Sequence, residues 1–473
     1  MEYFVSGILE AMEMKKLFLI MLFLMMPFLS MSFQMEGTWQ PLELLYESPQ
    51  IERPVAVADR YGGAHLFWWG LTSNQEKDEP TGILYSYWDG QQWSIPVDIL
   101  VSPNRERTFS PEVAIDSLDT IHVVWGGAHL YYSSASLGEA GNPAAWSRPL
   151  SIGEDKSVAS TSSIAVDSED NLHVVFSESG RDVYHVVSFD HGHSWHRSVA
   201  ISSVPKNITT LMAHLAIDDK NCVHVTWSQA TLPNAYPPEG VFYSRSCDDG
   251  ETWSDPIQLA GENYGESNIL VDKNQLIHVV YNGRAGVGGR YHRWSSDGGR
   301  TWSDVIEIVS PKESSAGLTG EPCIVGDLIG RVHFIGADAL YSVWDGKSWS
   351  RFISLRSASP LSSYMEFPAL VISGGNRLHA VFWSERVQLW TTWKLLDIPG
   401  SQLPRPVELN STVRPTLEGS GVQTITPQTF IYQDSVPETP SLTTGFGLIA
   451  GASVSALLLL FVFAMAFRKR GGL

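Results

Sequence analysis

One spacing limits what this chain can fold into. An apolar run ends in Asp, and a His stands six positions later in the next run. The pairs are Asp59/His65, Asp116/His122, Asp167/His173, Asp218/His224, Asp272/His278 and Asp327/His333, with Ser373/His379 as a seventh copy. They recur roughly every fifty residues, a period typical of repeat architectures. Segments such as VAIDSLDTIHVVW and LAIDDKNCVHVTW read as two short strands joined by a polar turn. A unit this small cannot bury its faces alone, so the copies must close around a common axis. The spacing predicts an all-β ring of seven blades.

A third and a fourth strand follow each hairpin, around a second turn. In Tyr243 to Trp253 (YSRSCDDGETW) that turn has the form Ser246-x-Asp248-x-Gly250-x-Thr252-Trp253. Asp accepts backbone N–H groups across such a reversal, Gly supplies a positive φ, and Trp returns apolar surface to the core. Ser188, Asp190, Gly192 and Trp195 repeat the form, as do Ser295, Asp297, Gly299 and Trp302. SYWDGQQW from Ser86 and SVWDGKSW from Ser342 shift the Asp by one, and the second repeat substitutes a longer loop reaching Trp146. The turn resembles the Asp-box of sialidase-like β-propellers. That resemblance implies a propeller whose Asp-boxes lie on the face opposite the loops that form a pocket. The seventh repeat lacks an outer strand, while Trp39-Gln40-Pro41-Leu42 has the form of one. The N-terminal strand is therefore expected to complete the last blade and remove the open edges.

Both ends carry membrane signals. Lys15 and Lys16 precede an apolar run from Leu17 to Leu29, which predicts a signal peptide over residues 1–34, with Met1 or Met14 as the start. An uncleaved anchor is the other reading. The propeller is expected over 37–397 and a Pro/Thr/Ser-rich stalk over 398–444. The uncharged run 445–467 is long enough to span a bilayer as one transmembrane helix, and the basic tail 468–473 is expected in the cytoplasm. The run also has the form of a segment that a sorting enzyme removes. The propeller then stands outside the cell membrane on a single-pass anchor. The formal net charge of −19 argues against nucleic acid as a partner. Three cysteines are too few for a disulfide scaffold. Cys222 and Cys247 fall on neighbouring strands, either bridged or as two free thiols, and Cys323 has no evident partner.

Seven equivalent His residues read as structural hydrogen bonds, since a propeller needs one central site. No cofactor is implied and no metal cluster is evident, although a structural calcium ion is compatible with the many carboxylates. The sialidase resemblance implies more. Those enzymes hold a sugar carboxylate with three arginines, use a Tyr–Glu pair as nucleophile and an Asp as acid/base, a division of labour suited to glycoside cleavage. Carried over, it gives Arg53 and Arg284 as clamps, with no arginine that matches the third and Arg290 as a candidate for it, Glu266 with Tyr364 as the nucleophile pair and Asp78 as the acid. The Arg53 segment, Glu52-Arg53-Pro54, departs from the sialidase motif, and that family has six blades where seven are counted here. Tyr236, within the proline-flanked loop SQATLPNAYPPEG, suits a binding rim. The primary expectation is a non-catalytic surface propeller that recognises a glycan or a cell-surface protein. The alternative is an exo-sialidase or related glycoside hydrolase.

Overall fold

Short apolar runs punctuated by Asp, Gly and Asn turns build seven antiparallel sheets of four strands each. The computed structural model describes residues 37–71, 81–103, 108–153, 158–178, 181–233, 236–284, 286–313, 320–355, 365–385 and 387–400, all within one unit, Gln34–Tyr432. The innermost strands are Ile51–Ala58, Pro111–Ile115, Val158–Val166, Ile208–Ile217, Tyr264–Val271, Cys323–Gly326 and Met365–Ser373. Each packs against the next around a closed ring, the last against the first. The result is a seven-bladed β-propeller.

The N-terminal strand closes it. Glu43–Glu47 pairs antiparallel with Gln388–Leu395, with Glu43 opposite Thr391 and Glu47 opposite Gln388. It is the outermost strand of blade seven. Trp39, just ahead of it, lands edge-on against Tyr341 of blade six at 5.0 Å.

The Asp–His pairs turn out to be one link in a longer relay. Asp59 accepts the backbone N–H groups of Tyr61 and Gly63 on one oxygen, at 2.8 and 2.7 Å, and faces His65 Nε2 at 3.2 Å with the other. The opposite ring nitrogen of His65 meets the hydroxyl of Tyr85 on the third strand at 2.7 Å. Tyr132, Tyr243 and Tyr341 play the same part in blades two, four and six. In blades three and five a histidine does so, His185 and His292, each at 3.0 Å. In blade seven Ser373 takes the place of the Asp, its Oγ 2.9 Å from His379 Nε2.

The Asp-boxes of blades three, four and five each pack on the relay of the blade before. Within the box of blade four, the Ser246 hydroxyl donates to Asp248 and accepts from the Gly250 N–H, while Asp248 accepts from both the N–H and the hydroxyl of Thr252. That leaves Trp253 lying edge-on to His185 at 5.4 Å. Trp195 on Tyr132 and Trp302 on Tyr243 repeat the contact, at 5.0 and 4.9 Å. The box thus fastens blade to blade. Blade two replaces it with two 3-10 turns, Leu137–Glu139 and Pro143–Ala145, and Trp146 donates its indole N–H to Ala140.

Cys222 and Cys247 form a disulfide between the second and third strands of blade four. Among the described residues no helix is long and apolar enough to cross a membrane. The expected leader, stalk and C-terminal span lie outside those residues.

Candidate functional site

The antiparallel order fixes which face can carry a site. The Asp–His hairpins close at the far ends of the inner strands, and the Asp-box turns lie on that same side. Residues at the starts of the inner strands, and the loops between second and third strands, belong to the opposite face.

On that face five inner strands break their regular pairing, Val158–Val166 between Val158 and Ser162 and four others at a residue in the left-handed region. In those four, register shifts fall between Glu52 and Val55, Leu211 and His214, Gly265 and Asn268, and Glu366 and Ala369. Each of the four holds a non-glycine residue with positive φ: Arg53 (49°), Met212 (56°), Glu266 (52°) and Phe367 (44°). A bulge with its extra residue in the left-handed region normally uses Gly. Holding other residues there costs on the order of 1 kcal/mol each, and such strain gathers at functional sites.

The bulges and their neighbours bring charges from several blades together. Arg53 of blade one pairs with Glu321, just ahead of blade six, at 3.0 Å. The same Glu321 meets His214 of blade four at 3.1 Å. The Arg53 guanidinium also lies over the Phe367 ring of blade seven, 4.1 Å from its centroid. In blade five Asn282 donates to Glu266 and to the Gly320 carbonyl, both at 2.8 Å, and Arg284 stands 3.5 Å from Glu266. Tyr236, half-exposed on the loop of blade four, lies 5.7 Å from the Arg284 guanidinium. The sheltering is deep but incomplete: the Arg53, Glu321 and His214 side chains keep 17, 11 and 9 % of their surface.

Electrostatics divides the carboxyls. Burial pushes Glu321 up, but Arg53 and His214 outweigh it and hold it at about 2. Burial also drives Glu112, on the inner strand of blade two, up to about 7; His214 pulls against this and Glu321 adds to it. Burial opposes the charge on His214, yet Glu321 and Glu112 raise it above its ordinary value. Glu266 is raised by burial, against the pull of Arg284 and Asn282. Near neutral pH the site therefore holds one firmly ionised carboxylate and one carboxyl close to its midpoint. The Cys323 thiol beside them is pushed up to about 12 by burial, which keeps it protonated and unreactive.

A stability test follows from Glu112. Its ordinary value is 4.5 and its folded value about 7, so the folded chain keeps a proton that the unfolded chain releases. That contribution is complete below about pH 4.5 and is lost as pH rises through about 7. Glu112→Gln is expected to flatten the fall in thermal stability between pH 5 and 8, by about 1–3 kcal/mol after allowance for solvent screening. His214, also raised, loses its contribution in the same direction, so some slope remains. Parallel Tm-against-pH curves for the two proteins would count against this.

Of the residues expected from sequence, Arg53, Glu266 and Arg284 lie in this network and Tyr236 on its rim. Arg290 is enclosed, 1 % exposed, and donates to the Gly289 carbonyl; it acts on Glu266 electrostatically rather than as an open clamp. Asp78 and Tyr364 lie outside the described residues. Glu112, His214 and Glu321 were not anticipated. The one local signal was a carboxylate or imidazole interrupting an apolar inner strand, as in PEVAI at Pro111–Ile115.

No protein-family model matches the chain, and no curated protein matches it in sequence. Solved structures match its fold. A protein of unknown function from Dyadobacter fermentans is 14 % identical, with a TM-score of 0.50 over 76 % of this chain and 99 % of that one. An ulvan lyase, a polysaccharide lyase, is 11 % identical, with a TM-score of 0.50 over 74 % of this chain and 95 % of that one. The NanB sialidase from Streptococcus pneumoniae aligns less well, with a TM-score of 0.44 at 12 % identity over 76 % of this chain and 71 % of that one. The likeness is one of fold, the β-propeller.

Proposed function

We propose that this chain is a surface-displayed propeller that binds a glycan at the loop-face mouth of its ring. The observation that carries the reading is the network in which Arg53, Glu321 and His214, from three different blades, share one carboxylate. Apolar residues would hold a ring together at least as well as a sheltered ion network. Strained bulges and opposed pKa shifts in one place are the signature of a site. Its chemistry suits sugar hydroxyls: guanidinium and imidazole donors alternate with carboxylate acceptors, and the exposed Tyr236 ring offers a face for the apolar side of a sugar. An ulvan lyase of the same fold, seen bound to -[GlcA(1-4)Rha3S]-, supports a polysaccharide as the ligand class.

The reading favours neutral sugars over sialic acid. Arg53 and Arg284, the expected clamps for a carboxylate, already face Glu321 and Glu266. A glycoside-active role is the second reading, and one observation favours it: Glu112 and Glu321 differ in protonation near neutral pH, as an acid and a base must. Display outside the membrane rests on the two apolar ends of the sequence.

Cells expressing the full chain are expected to capture fluorescent neutral glycans from the medium, and Tyr236→Ala to lower that capture about tenfold, as removal of an aromatic platform commonly does. Absence of capture from outside would remove both binding and display. Release of fluorophore from a sialoside, lost in Glu112→Gln, would install the enzymatic reading instead.

A further inference from the structure

A second cluster lies on the opposite face, at the joint between blades three and four. Asp167 ends the inner strand of blade three, His173 stands on its second strand, and Asp249 belongs to the Asp-box of blade four. One ligand atom from each lies within 4.8 Å of the other two. The side chains of Asp167 and His173 are fully buried, and Asp249 is exposed.

The Asp–His pair recurs around the ring, so the argument rests on what differs here. The box residue before the glycine sits in the left-handed region at three joints: His191 (φ 59°), Asp249 (φ 58°) and Gly298 (φ 69°). At the preceding joint His191 Nδ1 lies 3.5 Å from Asp116 Oδ2, a base set over a carboxylate. At the following joint Gly298 adds no side chain. At this joint a second carboxylate approaches an enclosed one, with an imidazole between them. Among the described residues no other group of three such ligands comes this close.

The imidazole can also present a bare nitrogen. Blades one, two, four and six set a Tyr hydroxyl against the relay histidine, and the His–Asp gap is 3.2 to 3.3 Å. In blades three and five the partner is a histidine, His185 or His292, and the gap opens to 3.5 Å. In blade five the Trp349 indole donates to His292 Nδ1, so His292 must donate onward and His278 must carry its proton toward Asp272. In blade three the Trp253 indole donates to the Gly250 carbonyl instead, so it does not impose that order. His173 is then able to donate through Nδ1 to His185 and turn an unprotonated Nε2 toward two carboxylates. An imidazole nitrogen facing two anions needs a proton or a cation between them, and the tautomer with a bare Nε2 leaves that place to a metal ion.

We infer that Asp167, His173 and Asp249 bind one divalent transition-metal ion of the zinc class, which ties the Asp-box of blade four to the hairpin of blade three. One imidazole nitrogen and two carboxylate oxygens, with water completing the shell, form a familiar donor set for that ion. Asp249, as the exposed ligand, closes the site.

The test uses the full, tag-free chain, stripped with chelator and titrated with zinc. One zinc per chain is expected to survive gel filtration, with a rise in Tm at saturation by mass action. Asp249→Asn keeps the fold and size and is expected to weaken zinc binding by at least about tenfold. Its metal-free Tm is expected to equal or exceed that of the metal-free parent, because two like charges no longer meet. Glu251→Gln, a neighbouring surface change, should leave zinc binding as it was. Zinc retention unaffected by Asp249→Asn overturns the site, as does the absence of stoichiometric zinc. A Tm rise with calcium but not zinc overturns the assignment of the ion.

Discussion

Glu321→Gln is expected to destabilise the ring by about 2–4 kcal/mol and to abolish ligand binding in the same step. Two cations from distant blades converge on this one carboxylate, Arg53 at 3.0 Å and His214 at 3.1 Å. Removing one partner of a buried pair costs about 3–5 kcal/mol, because the other charge is left without compensation. The low end applies here, since each side chain keeps an edge toward solvent and since His214 can shed its proton. Arg53 cannot, and it remains charged over the Phe367 ring. Urea unfolding of both proteins measures the effect: the midpoint falls while the slope stays constant. Acid should imitate the mutation. The folded value of Glu321 lies at about 2 against an ordinary 4.5, so its contribution is complete above about pH 4.5 and is lost as pH falls through about 2. A change below about 1 kcal/mol would mean that the pair behaves like an exposed one and that the network is not a site built at a cost.

Gly299→Ala is expected to destabilise the ring strongly for a single added methyl group. Gly299 has φ +79°, and a Cβ there would overlap the hydroxyl and ring of Tyr243 in the preceding blade. That ring cannot retreat. It is fully buried, bonded to His224 Nδ1 at 2.7 Å and held edge-on by Trp302 at 4.9 Å. Overpacking of this kind costs about 1–3 kcal/mol, and the left-handed backbone adds about 1–2 kcal/mol for a residue with a Cβ. Gly90→Ala supplies the contrast, with φ +105° and nothing within 4 Å of the added atom. It carries the backbone term alone. The comparison of Tm values separates contact from conformation, and equal losses in the two variants would show that the relay of blade four yields to pressure.

The architecture could be read from the sequence because it is stated seven times. The Asp–His spacing, the box and the Trp each recur, so one weak copy such as Ser373/His379 is supported by six stronger ones. The site has no such redundancy. Arg53, Glu266 and Arg284 drew notice through likeness to a known arrangement. Glu112, His214 and Glu321 stand in unremarkable contexts and meet only after closure, as when Arg53 meets a residue 268 positions away. The side chains that meet there differ in type from blade to blade, so no copy supports another. A periodic reading registers what the copies share, and the site is made of what they do not share.

The closing strand has a bearing on synthesis. Six blades are contiguous in the chain, so the strands of each are available to pair soon after its own residues leave the ribosome. Those of blade seven are not, because Glu43–Glu47 is made first and its partner, Gln388–Leu395, nearly last. For almost the whole of translation the first strand waits unpaired. Arg53, Glu112 and His214 must likewise wait for Glu321. The contacts between Arg53, His214 and Glu321 therefore form late, as the ring becomes complete.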